Sequence, residues 1–460
     1  MDNLKKITLS FVDQLDSLME YISSIAQTLD QIGQKFREGS DEKAILDSMK
    51  ILSLMVADFK ADPGLFLSGI HKTKKKNGSD FFPDEYDNDP EKIVRHFVEL
   101  FSSSLCKFEF DGDKLTYTLK DYKLKVLLQE AMKRQKSIGM QVDMFAHSSL
   151  LTLVNNYEYL VSQVFSDIIV TKFETIEIDK KTISFNDLMK IGDIDEAKSH
   201  LIMEIINDQM RKSNVDWIKA ISKYTNTKMH EKLTSETSIV NEIFQRRHII
   251  VHNGGVVNAY YMSNVVESLR KDVKKGKKIQ VSREYVENSI RNILILGLSV
   301  IFYYWQHIEP QNYGDRFSLF HNIAYDKLKA NNLITADLLF DLINTETNKF
   351  NGEDKLLHCI NASQTKKWLG DKNYAKKLNE TDFSLAHDNH KMCIAILNDN
   401  FDEANKHLKK IIESKDHKDH EFSDDLTFYL DWPIFREYQK SEQFKILVKE
   451  LGYEEVAEKS

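Results

Sequence analysis

The chain has 460 residues, 42% of them hydrophobic and 29% charged, and carries a formal net charge of −8. That is globular composition, rich enough in apolar groups to bury real cores across two to four domains. The acidity excludes a protein that coats nucleic acid over its whole surface, so a polyanion partner has to be held at a local basic patch. Three cysteines, Cys106, Cys359 and Cys393, are too few and too scattered for a disulfide framework and suit a reducing compartment.

The N-terminal segment mixes charges throughout and lacks the apolar core of a secretory leader, so an intracellular, cytoplasmic protein is expected. Phe11, Leu15, Leu18 and Ile22 mark one helical face, and Leu46, Met49, Leu52 and Met55 another. The polar stretch near residues 71–92 reads as a loop. Alternation around Asp111-Gly112 predicts a β-hairpin near 106–119, followed by a basic helix over about Asp121–Lys136. Residues 1–140 thus form an N-terminal helical region with one hairpin.

From residue 141 to 310 the pattern is a helical bundle. Leu151, Val154, Val161, Phe165 and Ile168 stripe its long first helix, and the apolar run Ile293–Trp305, too short to span a bilayer, closes it as a buried helix with Tyr303, Tyr304 and Trp305 in the core; no membrane partner is expected. All five prolines, Pro63, Pro83, Pro90, Pro310 and Pro433, fall between helical segments, which supports a mainly α fold. After Pro310 the helices shorten and pair. Ala395, Leu397, Phe401, Ala404 and Leu408 resemble the second half of a tetratricopeptide-type hairpin, so residues 311–460 read as degenerate TPR-like repeats.

Chemistry concentrates at Thr237–Val251 and the residues after it, TSIVNEIFQRRHIIVHNGG. Val240, Phe244 and Val251 form an apolar stripe with Arg247 inside it, and Arg246 interrupts a neighbouring row of Ile239, Ile243 and Ile250. A guanidinium on such a face is costly unless paired. Glu158, on the stripe of the first bundle helix, is the candidate ion-pair partner for Arg247 or Arg246. His248 and His252 lie four apart and share a face, and Asn253-Gly254-Gly255 stops the helix.

Arg247-His248-x-x-x-His252, with Asn253-Gly254-Gly255 and the first-helix sequence HSSLLTLVNNYEYLVSQVF, resembles the HEPN signature of bacterial defence proteins over roughly Val142–Pro310. The resemblance implies a metal-independent, usually dimeric endoribonuclease, and a regulated toxin or antiviral role. Its chemistry would be attack of an RNA 2′-hydroxyl on the adjacent phosphate, a route closed to DNA. His252 would act as general acid or base, Arg247 as phosphate ligand, and His248 as an assisting or orienting group. Arg246 and Asn253 would contact the RNA backbone. The basic run Arg270–Lys278, with Arg270, Lys271, Lys274 and Lys275, would guide a phosphate chain. No cofactor is expected. RNA, a second copy and a protein regulator or trigger are the expected partners.

Three other readings compete. A helix end with satisfied polar residues accounts for the Arg–His cluster, because histidines interact favourably with a helix C-terminus. A shared zinc at His248 and His252 lacks an HExxH pattern and faces repulsion from Arg247; the spacings of His387, His390 and Cys393, and of His417 and His420, fit surface or packing roles. Finally, the bundle could be a non-catalytic scaffold that dimerises while its repeats bind a protein.

Overall fold

The computed structural model describes residues 2–37, 92, 106–111, 114–119, 122–171, 182–413 and 425–459. The expected loop at 71–92 (Lys92 apart), the face containing Leu46, Met49, Leu52 and Met55, and His417 and His420 lie outside them. The fold is mainly α. Residues 1–18 join 150–460 in one compact unit, and 19–149 form a second.

The second unit contains two six-residue strands, β1 (Cys106–Asp111) and β2 (Lys114–Leu119), paired antiparallel with Phe108 opposite Tyr117. Helix α1 runs Asp2–Arg37 and helix α2 runs Tyr122–Thr171. The basic helix and the first bundle helix, separate in the sequence reading, are therefore one 50-residue helix. Only Gly139 interrupts good helix formers there, and an isolated glycine costs about 1 kcal/mol without breaking a helix.

In the larger unit the bundle core comprises Leu150–Thr171 of α2, α5 (Asn214–Thr225), α7 (Thr234–Asn253) and α9 (Arg283–Ile308). A short helix, α3 (Phe185–Ile191), and the longer α4 (Ile194–Met210) follow α2, and α6 (Met229–Lys232) leads into α7. Ser282 caps α9, accepting the Tyr285 N–H at 3.1 Å. Among the described residues α9 alone is long and apolar enough to cross a membrane, yet 72% of its most apolar stretch is buried inside the fold. From Ile293 to Phe302 it is apolar all round because it is enclosed all round. Tyr304 and Trp305 are in the core as expected, while Tyr303 is half-buried with the Lys232 ammonium 4.6 Å from its ring centre.

Gly297 explains how α1, α2 and α9 come so close. A Cβ there would stand 2.5 Å from Phe11 and 2.7 Å from Leu160, so only glycine fits. Residues 1–18, read from sequence as part of an N-terminal region, pack here through Leu4, Ile7, Phe11 and Leu15. Asp167 accepts from Asn3 at 2.6 Å and Tyr304 at 2.7 Å, and Lys327 pairs with Asp16.

Beyond Pro310 come α10 (Tyr313–Lys329), α11 (Leu333–Asn344), α12 (Gly352–Trp368), α13 (Tyr374–Glu380), α14 (Asp388–Leu397) and α15 (Phe401–Glu413). The chain then ends in α16 (Thr427–Leu430), α17 (Phe435–Tyr438), α18 (Glu442–Glu450) and α19 (Glu454–Lys459). One turn recurs in this region. Asn331, Gly370, Asp399 and Gly452 all have positive φ, and the residue after each donates its N–H to a carbonyl five residues back, at 2.8–3.0 Å.

A fully buried Arg316 anchors this half. Its Nε and Nη2 donate to the Glu346 carboxylate at 2.7 and 2.8 Å, and Lys349 adds a third bond at 2.7 Å. Burial pushes the Glu346 carboxyl up, but the hydrogen bonds from Arg316 and Lys349 outweigh it and hold the group below its ordinary range. Removing one member of such a pair leaves the other charge uncompensated. Arg316→Ala should cost about 3–5 kcal/mol in urea melts at neutral pH. Since the folded-state value is depressed, the carboxylate's contribution is present at neutral pH and lost as pH falls through that lowered value. The gap between wild type and variant should therefore shrink in acid, and a constant gap would show that the pair does not set this stability.

Candidate active site

Two glycines stop α7. Gly254 has φ 58° and Gly255 φ 78°, a region that strains side chains. The Gly255 N–H reaches back to the Ile249 carbonyl at 2.9 Å. The chain then pairs with the end of the basic run: Val257 N–H donates to the Lys277 carbonyl at 2.9 Å, Gly276 N–H to Val257 at 2.8 Å, and Ile279 N–H to Gly255 at 2.8 Å. Ile249, Val257, Tyr261, Val265 and Ile279 form a small apolar cluster there, which also takes in Leu269 and Val273 at the start of the loop. Burial of this cluster fixes the loop against the helix end. Residues 255–257, just after the helix that carries His248 and His252, are thus joined to residues 276–279 by backbone pairing.

His248 and His252 are both exposed, one helical turn apart, with ring centres 4.7 Å from each other. The ring of Tyr260, on α8 (Ala259–Asn264), lies 5.6 Å from His248; no sequence signal marked it. Partial burial lowers the His248 pKa, and the neighbouring His252 and Arg247 lower it further. Its imidazole is therefore neutral at neutral pH, with one nitrogen able to accept a proton.

Arg247 is half-buried, and its Nε is buried without a hydrogen-bond partner. It faces the half-buried Glu158. Burial raises that carboxyl, and Arg247 pulls it partway back. The contact is electrostatic rather than a direct ion pair, so Glu158 senses Arg247, not Arg246.

Arg246 requires a correction. Assigned from sequence to RNA contact, it is instead internal. Its Nε donates to Glu242 at 2.8 Å, its Nη1 donates to the Gln280 carbonyl at 2.6 Å, and its guanidinium carbon lies 3.9 Å from the Tyr285 ring centre. The buried face of α7 runs through Thr237, Val240, Glu242, Ile243, Arg246 and Ile249, while Val251, placed on the apolar stripe from sequence, is exposed. Burial opposes the Arg246 charge, yet Tyr285 and Glu242 outweigh it and raise its pKa. Glu242 also accepts from Tyr261 and Tyr285, each at 2.6 Å. This four-residue network was missed. Its one sequence signal is the i, i+4 spacing of Glu242 and Arg246.

The remaining expected contacts divide. Lys271, Lys274 and Lys275 are exposed on the loop. The Lys278 stem lies beside Gly255, where a Cβ would meet its Cγ at 3.6 Å. Arg270 is half-buried and donates from Nε to the Val265 carbonyl at 2.9 Å, so it anchors the loop. Asn253 donates its side-chain amide to the Val256 carbonyl, which engages it in shaping the helix end. Among the described residues no group of three or more His, Cys, Asp and Glu is placed to hold a metal ion. His390 and Cys393 are buried, and burial pushes the Cys393 thiol up to about 12.

Two measurements check this geometry. Tyr285→Phe removes a hydrogen bond to a buried carboxylate and should lower stability by about 1.5–3 kcal/mol in a denaturant melt; an unchanged midpoint would remove the network from the account. In His252→Ala, the His248 imidazole should titrate at higher pH than in wild type, followed by NMR of its ring protons. An unmoved titration would show that the two rings are not electrostatically coupled.

No family model matches the chain, and no curated protein or solved structure matches it.

Proposed function

We propose that the chain is a metal-independent endoribonuclease of the HEPN type, acting in the cytoplasm as a regulated toxin or antiviral effector. The observation that carries this reading is the exposed His248–His252 pair, 4.7 Å apart where α7 stops, with Arg247 beside it and a lysine-bearing loop stitched to the next residues. A helix end with merely satisfied polar groups needs neither exposed imidazoles nor an attached basic loop.

In this reading Arg247 holds a non-bridging phosphate oxygen and offsets charge as the phosphorane forms. His252 moves a proton at the attacking 2′-hydroxyl or the leaving 5′-oxygen, and His248, neutral at neutral pH, orients it. A second copy meeting the first across a two-fold axis would supply the complementary proton-transfer group. Phe185, Met189, Ile194 and Met203 on α3 and α4 are exposed apolar side chains, surface that a second copy or a regulator would cover. In this reading the short helices beyond Pro310, read as TPR-like repeats, are the part that receives a trigger.

One observation favours the scaffold reading: the buried Nε of Arg247 and its proximity to Glu158 tie that guanidinium to the interior. Activity separates the two. Purified protein incubated with total RNA and EDTA should yield fragments ending in cyclic phosphate. His252→Ala should slow this by about a hundredfold or more without changing the melting temperature. Intact RNA with wild type in the presence of candidate triggers would favour the scaffold, and cleavage by the His252→Ala protein would remove His252 from the mechanism.

A further inference from the structure

Within the helical repeats lies a cleft of about 520 Å³, unrelated to the histidine pair. That volume is in the range of small-molecule sites. Leu357 and Ile360 on α12, Tyr325 on α10 and Trp432 and Ile434 near α17 supply a largely apolar wall with two aromatic rings. Such walls hold flat molecules by stacking and burial.

The polar groups within it are neutral. Asn361, Gln364, Asn389 and His390 line the cleft, and each is more than nine-tenths buried. Burial lowers the His390 pKa, and it lowers that of His321, also a lining residue, to about 4. The Asn361 amide meets the His321 ring at 3.4 Å. Gln364 Nε2 and His390 Nδ1, by contrast, have no hydrogen-bond partner. Buried polar atoms in folded proteins are almost always paired, so an orphan amide donor and an orphan ring nitrogen on two residues that line one cleft point to a ligand with hydrogen-bonding groups along one edge.

Charge at the mouth selects further. Among the described residues the cleft is lined by two carboxylates, Glu353 and Asp354, and by no lysine or arginine. Among the described residues the adjoining hollow holds Glu380 and Asp382 with one lysine, Lys355. The Asp354 carboxyl is raised by burial and by Glu353 beside it, which shows how closely the two acids share the space. A phosphate there would meet the two carboxylates of the lining, with Lys355 in the adjoining hollow and Arg436, which acts on Tyr325, as the nearby cations.

We propose that this cleft binds an uncharged, flat heterocycle with adjacent donor and acceptor groups, of the nucleobase or nucleoside class, and rejects the phosphorylated forms. Gln364 and His390 read the heterocycle edge, Tyr325 and Trp432 flank its plane, and Glu353 and Asp354 turn away the phosphate.

Titration calorimetry on the full chain tests this with adenosine, guanosine, cytidine and uridine, their 5′-monophosphates, and N-acetylarginine N-methylamide as a blocked cationic residue. At least one nucleoside should bind saturably, with its monophosphate weaker by about tenfold or more, the scale of one like-charge contact. Gln364→Leu should abolish binding without lowering the melting temperature. If that variant does not fold, Glu353→Gln, an exposed position, carries the test: it should narrow the gap between nucleoside and monophosphate. The proposal is overturned if no nucleoside binds, if monophosphates bind as well as nucleosides, if the blocked arginine binds while nucleosides do not, or if a folded Gln364→Leu binds normally. A gap unchanged in Glu353→Gln would remove the carboxylates from selectivity and overturn the proposal in its charge-selective form.

Discussion

One buried carboxylate organises the region on which the functional account rests. Glu242 accepts hydrogen bonds from Arg246 on its own helix, from Tyr261 on α8 and from Tyr285 at the start of α9. Arg246 carries the link onward to the Gln280 carbonyl. The helix bearing the histidines, the short helix after it, the strand-like end of the basic loop and the apolar core helix are therefore tied to one point. A buried charge with several partners tolerates few alternative arrangements, because any loosening leaves a polar group unpaired in a low-dielectric interior. This is why exposed imidazoles at a helix terminus, normally a place of fraying, can keep a defined geometry.

The two arginines show how adjacent residues of one type part company. Arg246 is turned inward and fully engaged, so its role is architectural. Arg247 is half-buried and lies within electrostatic reach of Glu158. One arginine holds the helix in place, and the next stands beside the exposed imidazoles. The glycine pair plays a comparable double part. It ends the helix, and it admits the backbone pairing that brings residues 276–279 alongside.

The sequence makes the helical character, the enclosed helix Ile293–Trp305 and the stop at Gly254-Gly255 legible, because each rests on local rules: proline placement, an all-round apolar run and a glycine terminator. It also shows that His248 and His252 share a face, since four-residue spacing decides that alone. Which arginine faces inward was not legible. Arg246 and Arg247 sit 100° apart on a helix whose apolar residues cover a broad arc, and the choice depends on Tyr261 and Tyr285, which arrive from other elements. Residues 1–18 escaped for the same reason: nothing local reveals that Phe11 meets Gly297 across 286 positions. The cleft beyond Pro310 was invisible too, because Gln364 and His390 come to line one hollow only after several helices have packed.

The central claim is that the end of α7 grips a sugar–phosphate link, and binding tests it without requiring turnover. Protein carrying isotope-labelled histidine would be titrated with a 2′-O-methyl oligoribonucleotide, which presents the phosphate backbone but offers no attacking hydroxyl. The account predicts that the ring signals of His248 and His252 both shift, and that the His248 titration moves to higher pH as a phosphate settles beside it. Unchanged signals at saturating oligonucleotide, with the protein folded and its oligomeric state defined, would contradict it.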